Sequence, residues 1–134
     1  MALQQARLAT CPRLQVGGIV IDEEERRILM ASHNGAPRGE PHCLDKGCDV
    51  VNDHCRRAVH CEKNLAVYAG RALMRGNLVL ITHTPCYDCA GLLVQTGIRK
   101  LIYLEHYRDA NYSRPGVERL LQAGVEVLHR PLAA

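Results

Sequence analysis

His60-Cys61-Glu62 and, 22 residues further on, Pro85-Cys86-Tyr87-Asp88-Cys89 are the stretches around which this 134-residue chain is organised. One imidazole (His60) and two thiolates (Cys86, Cys89) bind Zn2+ tetrahedrally and leave a fourth position for water, the ligand set of a catalytic rather than a structural zinc. A zinc held there acidifies its water to near neutrality. Glu62, two residues after the histidine, is placed to hold that water and carry its proton rather than to ligate. The C-x-x-C spacing lets both sulfurs of one turn face a single metal, and Pro85 suits a strand giving way to a helix. C-x-x-C alone also serves zinc ribbons and redox sites, and H-x-E alone carries little. The reading rests on the two halves together, each at a helix start and about one helix plus one strand apart.

Outward from these halves the pattern alternates. Residues 60–75 show helical spacing in Leu65, Ala66, Ala69, Leu73 and Met74, with Gly70 and Gly76 weakening or ending it. Residues 77–82 read as a buried strand running into Pro85, 86–95 as a helix, 99–104 as a strand, 117–123 as a helix and 125–128 as a final strand. Strand and helix in turn imply parallel pairing with right-handed crossovers. Upstream, residues 16–21 and 28–31 are apolar and partly β-branched around the charged run 22–27, an antiparallel hairpin with a solvated turn. Residues 3–10 suggest a short helix with Leu3, Ala6 and Leu8 on one side. The expectation is one α/β domain over 1–134, a mixed five-stranded sheet flanked by helices.

Composition is that of an ordinary globular domain, 47% apolar and 23% charged. Phe and Trp are absent, leaving Leu, Val, Ile and five Tyr to build the core. The net charge of +3 is mild and not gathered into a patch, which disfavours a nucleic acid polymer as partner and leaves a small anionic substrate compatible. No apolar run is long enough to span a bilayer, and the first fifteen residues lack the apolar core of a signal peptide, so the expected location is the cytoplasm. Seven cysteines is an odd number, and a reducing compartment argues against disulfides. Residues 33–55 are irregular, with turn chemistry over 34–41. Cys11, Cys43, Cys48, His54 and Cys55, with His42 adjacent, offer more soft ligands than four positions need, which suggests a second, structural zinc held by four of the five. A set of buried free thiols is the alternative.

Joined, the two halves read H-x-E…P-C-x-x-C, the signature of zinc nucleobase deaminases. Together with Val16-Gly17-Gly18, Asn34-Gly35-Ala36-Pro37-Arg38-Gly39, Asn64, and the run from Cys89 through Gln95-Thr96-Gly97-Ile98, the chain resembles the deoxycytidylate (dCMP) deaminases of the cytidine deaminase superfamily over nearly its full length. The resemblance implies a three-layer cytidine deaminase-like fold. It also implies hydrolysis of dCMP to dUMP and ammonia in the supply of thymidylate synthesis, with Glu62 as base and then acid. By the same resemblance Asn34 meets the sugar, Tyr107 lies near sugar and phosphate, and Arg13 approaches the phosphate. Arg13 and Arg108 read equally well as solvated surface charges, and Tyr107 as core packing. Some family members hold a second zinc with ligands from the segment before the first strand and from the 34–55 loop, positions that Cys11 and Cys43 match. Dimers or hexamers and control by dCTP and dTTP are further family properties. Cys61, Lys63 and His33 depart from the family's usual residues, and Cys61 is expected to face away from the metal. Two other functions fit less well. One is a deaminase of the same superfamily acting on a nucleoside, guanine, a 5-substituted dCMP or tRNA adenosine. The other is a non-catalytic zinc-stabilised assembly protein, for which Glu62 has no use.

Overall fold

The computed structural model describes residues 1–75 and 77–132, apart from the side chains of Ala72 and Met74. Gly76 and the Met74 side chain, both named above, lie outside the described residues. The elements run α1 (Ala2–Ala6), β1 (Gly17–Asp22), β2 (Arg27–His33), α2 (Cys43–Lys46), β3 (Val50–Val51), β4 (His54–Cys55), α3 (Cys61–Ala69), α4 (Arg71–Met74), β5 (Leu78–His83), α5 (Tyr87–Thr96), β6 (Lys100–Glu105), α6 (Ala110–Gln122) and β7 (Glu126–His129). The main sheet has the order β2-β1-β5-β6-β7. β1 is antiparallel to β2 and β5, while β5, β6 and β7 are parallel and joined through α5 and α6. This is the mixed five-stranded sheet expected.

Successive strand residues face opposite sides of a sheet, and Gly17 and Gly18 use both sides. A Cβ on Gly17 would meet the α1 backbone at Ala2 and Ala6, whereas one on Gly18 would meet Leu65 and Cys61 of α3. So α1 covers one face of the sheet and α3 the other, with α5 beside α3 and α6 packed on α5 and β7. Three layers result. The core between them holds Val20, Leu65, Leu73, Val79, Ile81, Leu93, Leu101 and Leu120, all fully buried. Alternating strand residues and one face of each helix supply it.

Three expectations need correction. The first helix spans Ala2–Ala6 rather than reaching residue 10, and Leu3 and Leu8 are exposed while Ala2, Ala6 and Ala9 are buried. Contact with the bare Gly17 backbone admits only methyl-sized side chains. Of the five tyrosines only Tyr103 joins the core, whereas Tyr68, Tyr87 and Tyr112 are exposed. The core is therefore aliphatic. The helix expected over 117–123 starts at Ala110, where Asp109 caps it by accepting from the Tyr112 N–H at 2.8 Å. Pro115-Gly116 looks like a breaker, but Pro115 only removes one donor that would have met the Asn111 carbonyl. The irregular stretch 33–55 contains one helical turn, α2, and the small β3–β4 hairpin, whose two-residue Asn52-Asp53 loop has both φ values positive, as a type I′ turn requires.

Candidate active site

Both halves of the motif open helices. His60 is the N-cap of α3, and Cys86 is the N-cap of α5, its Sγ accepting from the Cys89 N–H at 3.4 Å. β5, buried at four of its six residues, runs through Thr84 into Pro85 and fixes where α5 begins. Gly116 of α6 adds a further constraint: a Cβ there would stand 2.3 Å from the Pro85 carbonyl oxygen and 3.2 Å from the Cys86 carbonyl carbon. A residue larger than glycine cannot sit against the metal-side end of α5 without a backbone shift. The neighbouring turns of α3 and α5 are also joined by Lys63 Nζ and Asp88 Oδ2 at 3.2 Å, an exposed pair of small energetic weight.

The two helix starts bring His60 Nδ1 to 3.3 Å from Cys89 Sγ and 3.8 Å from Cys86 Sγ. All three donor atoms lie within 4.8 Å of one another. Tetrahedral zinc with these ligands needs donor separations of about 3.5–3.8 Å, so the set fits the ion. The thiols are poised for it. Hydrogen bonding from Cys89, His60 and the Cys89 N–H pulls the Cys86 thiol down to about 4, while the proton shared with that thiolate and burial push Cys89 up. A thiolate near the start of a helix is further favoured by its dipole.

Glu62, in the first turn of α3, is 5% exposed, and burial pushes its carboxyl above the usual range against the opposing pull of His60. Cys61 points the other way, into the core, with its Sγ 3.5 Å from the Ser32 carbonyl oxygen. Burial also pushes that thiol up, making it a packing group.

A cavity of about 350 Å3 opens over this set, lined among others by Leu14, Val16, Asn34, His60, Glu62, His83, Thr84 and Tyr107. That volume is within the range of small-molecule sites. Asn34 is on the wall, but its amide already serves the backbone: Oδ1 accepts from the Val16 N–H at 2.8 Å and Nδ2 donates to the Leu14 carbonyl at 2.9 Å. Asn64 similarly ties α3 to the end of β2, donating to the His33 carbonyl at 2.9 Å. Arg13, Tyr107 and Arg108 all line the cavity. Arg108 lies over the rings of Tyr107 and Tyr112, 5.4 and 4.6 Å from their centroids. Both guanidiniums meet Asp53, Arg13 Nη2 at 3.2 Å from Oδ1 and Arg108 Nη2 at 2.9 Å from Oδ2.

Sequence reasoning missed Asp53, His83 and Thr84. Thr84 Oγ1 accepts from the Tyr107 N–H at 2.8 Å and so holds the β6–α6 loop over the cavity. For Asp53 a signal existed, since Asn-Asp between two β-branched residues and His-Cys is hairpin chemistry.

Of the five candidates for a second metal, Cys11, Cys43, Cys48 and Cys55 converge, all four sulfurs within 4.8 Å of one another. Cys43 and Cys55 Sγ are 3.5 Å apart and Cys11 and Cys48 Sγ 3.9 Å, against about 3.8 Å for tetrahedral ZnS4. His54 is not among them; its Nε2 sits 3.0 Å from the Tyr112 hydroxyl. Its strand neighbour Cys55 turns toward the cluster because adjacent β residues face opposite sides. His42 bonds Thr10 Oγ1 at 2.7 Å instead. Burial opposes ionisation of Cys55, but the backbone N–H groups of Ala58 and Arg57 overcome it and bring the thiol to about 6. Cys43 is pushed up by burial and by its proton shared with Cys55. All seven cysteines are free thiols.

A protein-family model described as the cytidine and deoxycytidylate deaminase zinc-binding region matches residues 1–105. The chain belongs to this family of zinc-binding deaminases. It is 35% identical over 121 residues to ComE operon protein 2 of Bacillus subtilis (strain 168), a match covering 89% of this chain and 61% of that relative. It thus spans less than two thirds of that relative's length. Against the deoxycytidylate deaminase of Mycobacterium phage D29 it is 31% identical over 114 residues, covering 77% of this chain and 88% of the relative. Among solved structures, the dCMP deaminase of cyanophage S-TIM5 in complex with dCMP and dUMP superposes with a TM-score of 0.77 and 28% identity over 96% of this chain and 90% of that one. Among the described residues no helix is long and apolar enough to cross a membrane.

Proposed function

We propose that this protein hydrolyses the 4-amino group of dCMP, giving dUMP and ammonia. The observation that carries the reading is the position of Glu62, a buried carboxyl beside the His60-Cys86-Cys89 set at one end of a cavity that also carries Arg13 and Arg108. A structural metal site has no use for that carboxyl, and two cations in the same cavity suit a phosphorylated substrate.

When zinc is bound by His60, Cys86 and Cys89 it supplies a Lewis acid and a water acidified to near neutrality. Glu62 would take a proton from the attacking water and pass it to N3 of the cytosine as the water oxygen bonds to C4. Glu62, again a carboxylate, would next take the remaining proton from the new C4 hydroxyl and give it to the exocyclic nitrogen; the C4 carbonyl forms as the C4–N4 bond breaks, and ammonia leaves. Leu14 and Val16 contribute apolar wall, Tyr107 lies beside the sugar and phosphate, and Arg13 and Arg108 bind the phosphate. Asn34 holds residues 14–16 in place and keeps one N–H for the sugar.

The same reading gives Cys11, Cys43, Cys48 and Cys55 to a structural zinc that staples the 34–55 loop to the segment before β1. Assembly into dimers or hexamers, a response to dCTP or dTTP and residence in a reducing cytoplasm complete it, supported by the family likeness and the free thiols. Ammonia release measured across dCMP, CMP, deoxycytidine and dAMP tests the substrate: dCMP is expected to have the highest kcat/KM, and preference for another carrier would overturn the reading.

A further inference from the structure

The β3–β4 hairpin carries Asp53 into the mouth of the cavity, where its two carboxylate oxygens are divided between guanidiniums that come from distant parts of the chain. We propose that Asp53 is a displaceable surrogate for the substrate phosphate: its carboxylate occupies the anion subsite between Arg13 and Arg108, and a phosphate monoester must replace it there. This rests on the substrate reading above and deepens it.

Three observations support exchange rather than a fixed clamp. Asp53 is 69% exposed on its side chain, so both ion pairs are weak and screened. Arg108 has a second hold on its position besides the Asp53 carboxylate, because its guanidinium rests on the adjoining Tyr107 and Tyr112 rings. The Asp53 backbone carbonyl accepts separately from Arg108 Nη2 at 2.9 Å, which keeps the hairpin tip anchored whether or not the carboxylate is engaged. One carboxylate leaves the pair of guanidiniums with net positive charge, and a phosphate dianion balances it. The surrogate thereby favours phosphorylated ligands over neutral ones, since only an anion can displace it.

Asp53→Asn tests this, as asparagine tolerates the positive φ of 63° at that position. Inorganic phosphate is titrated into the zinc-loaded protein by calorimetry, and KM is measured for dCMP and deoxycytidine. Asp49→Asn, which loses an equal charge at an ion pair with Arg56 outside the cavity lining, is the control. The expected result is phosphate affinity raised about threefold or more in Asp53→Asn, the scale of weak exposed pairs, with the KM for dCMP lowered and that for deoxycytidine unmoved. Phosphate binding that is unchanged or weaker, or an equal change in Asp49→Asn, overturns the proposal. If phosphate binding rises but neither variant nor parent deaminates dCMP, the anion subsite stands and the substrate reading falls. If dCMP is turned over and phosphate binding does not rise, the reverse holds.

Discussion

His60 Nδ1 lies 3.3 Å from Cys89 Sγ although 29 residues separate them in the chain. The contact exists because α3 and α5 both begin at the same end of the sheet and lie side by side on one face, so each offers its first turn to the same point. Everything proposed for the chemistry follows from that convergence.

The tetracysteine cluster predicts metal content. Purified protein should contain two zinc per chain by elemental analysis. Cys55→Ser should contain one and melt at a markedly lower temperature, since structural zinc contributes directly to folding free energy. His54→Ala should still contain two. A single zinc in the parent protein would remove the cluster's proposed role.

Arg108 predicts a split between nucleotide and nucleoside. Arg108→Gln should raise KM for dCMP about tenfold or more, the effect of losing a charge-assisted contact to phosphate. Turnover of deoxycytidine should change little. Equal losses on both substrates would place Arg108 in loop structure instead.

Gly116 predicts a remote effect on the metal. Gly116→Ala forces a methyl to within 2.3 Å of the Pro85 carbonyl oxygen, and overpacking of this kind costs about 1–3 kcal/mol. Relief by displacing the Pro85-Cys86 backbone should weaken retention of the catalytic zinc against a chelator. Loss of thermal stability with unchanged zinc retention would show that α6 yields rather than α5.

His83 predicts a pH dependence of stability. Burial holds its imidazole below the ordinary value, outweighing Glu105 at 3.5 Å. The unfolded chain titrates near about 6.5, so as pH falls below that value the unfolded state takes up a proton before the folded state does. The resulting stability is present above about 6.5 and is lost as pH falls through the folded value. His83→Gln should therefore flatten the decline in melting temperature on acidification over that window. An unchanged slope would contradict it.

Legibility in the sequence followed physical range. The alternation of strand and helix after residue 60 could be read because apolar periodicity is local, and the ligand set because each half sits on one helical turn. That Cys61 faces away from the metal could be read from its place on α3. The start of α6 was hidden because the Asp109 cap acts locally while Pro115-Gly116 looks like a stop; what glycine does there is admit the Pro85 backbone, a contact between distant parts of the chain. Which of the five second-site candidates converge could not be read, because the faces that His54 and Cys55 take on the two-residue β4 follow from the Asn52-Asp53 turn. Asp53 itself acquires meaning only when Arg13 and Arg108 are brought to it.

The most direct measurement is the activity and zinc content of Glu62→Gln side by side with the parent protein, with dCMP as substrate and dUMP and ammonia as products. The account predicts unchanged zinc and a fall in kcat of about a hundredfold or more, the contribution of a positioned acid–base group. Full activity in a zinc-loaded Glu62→Gln protein would contradict it.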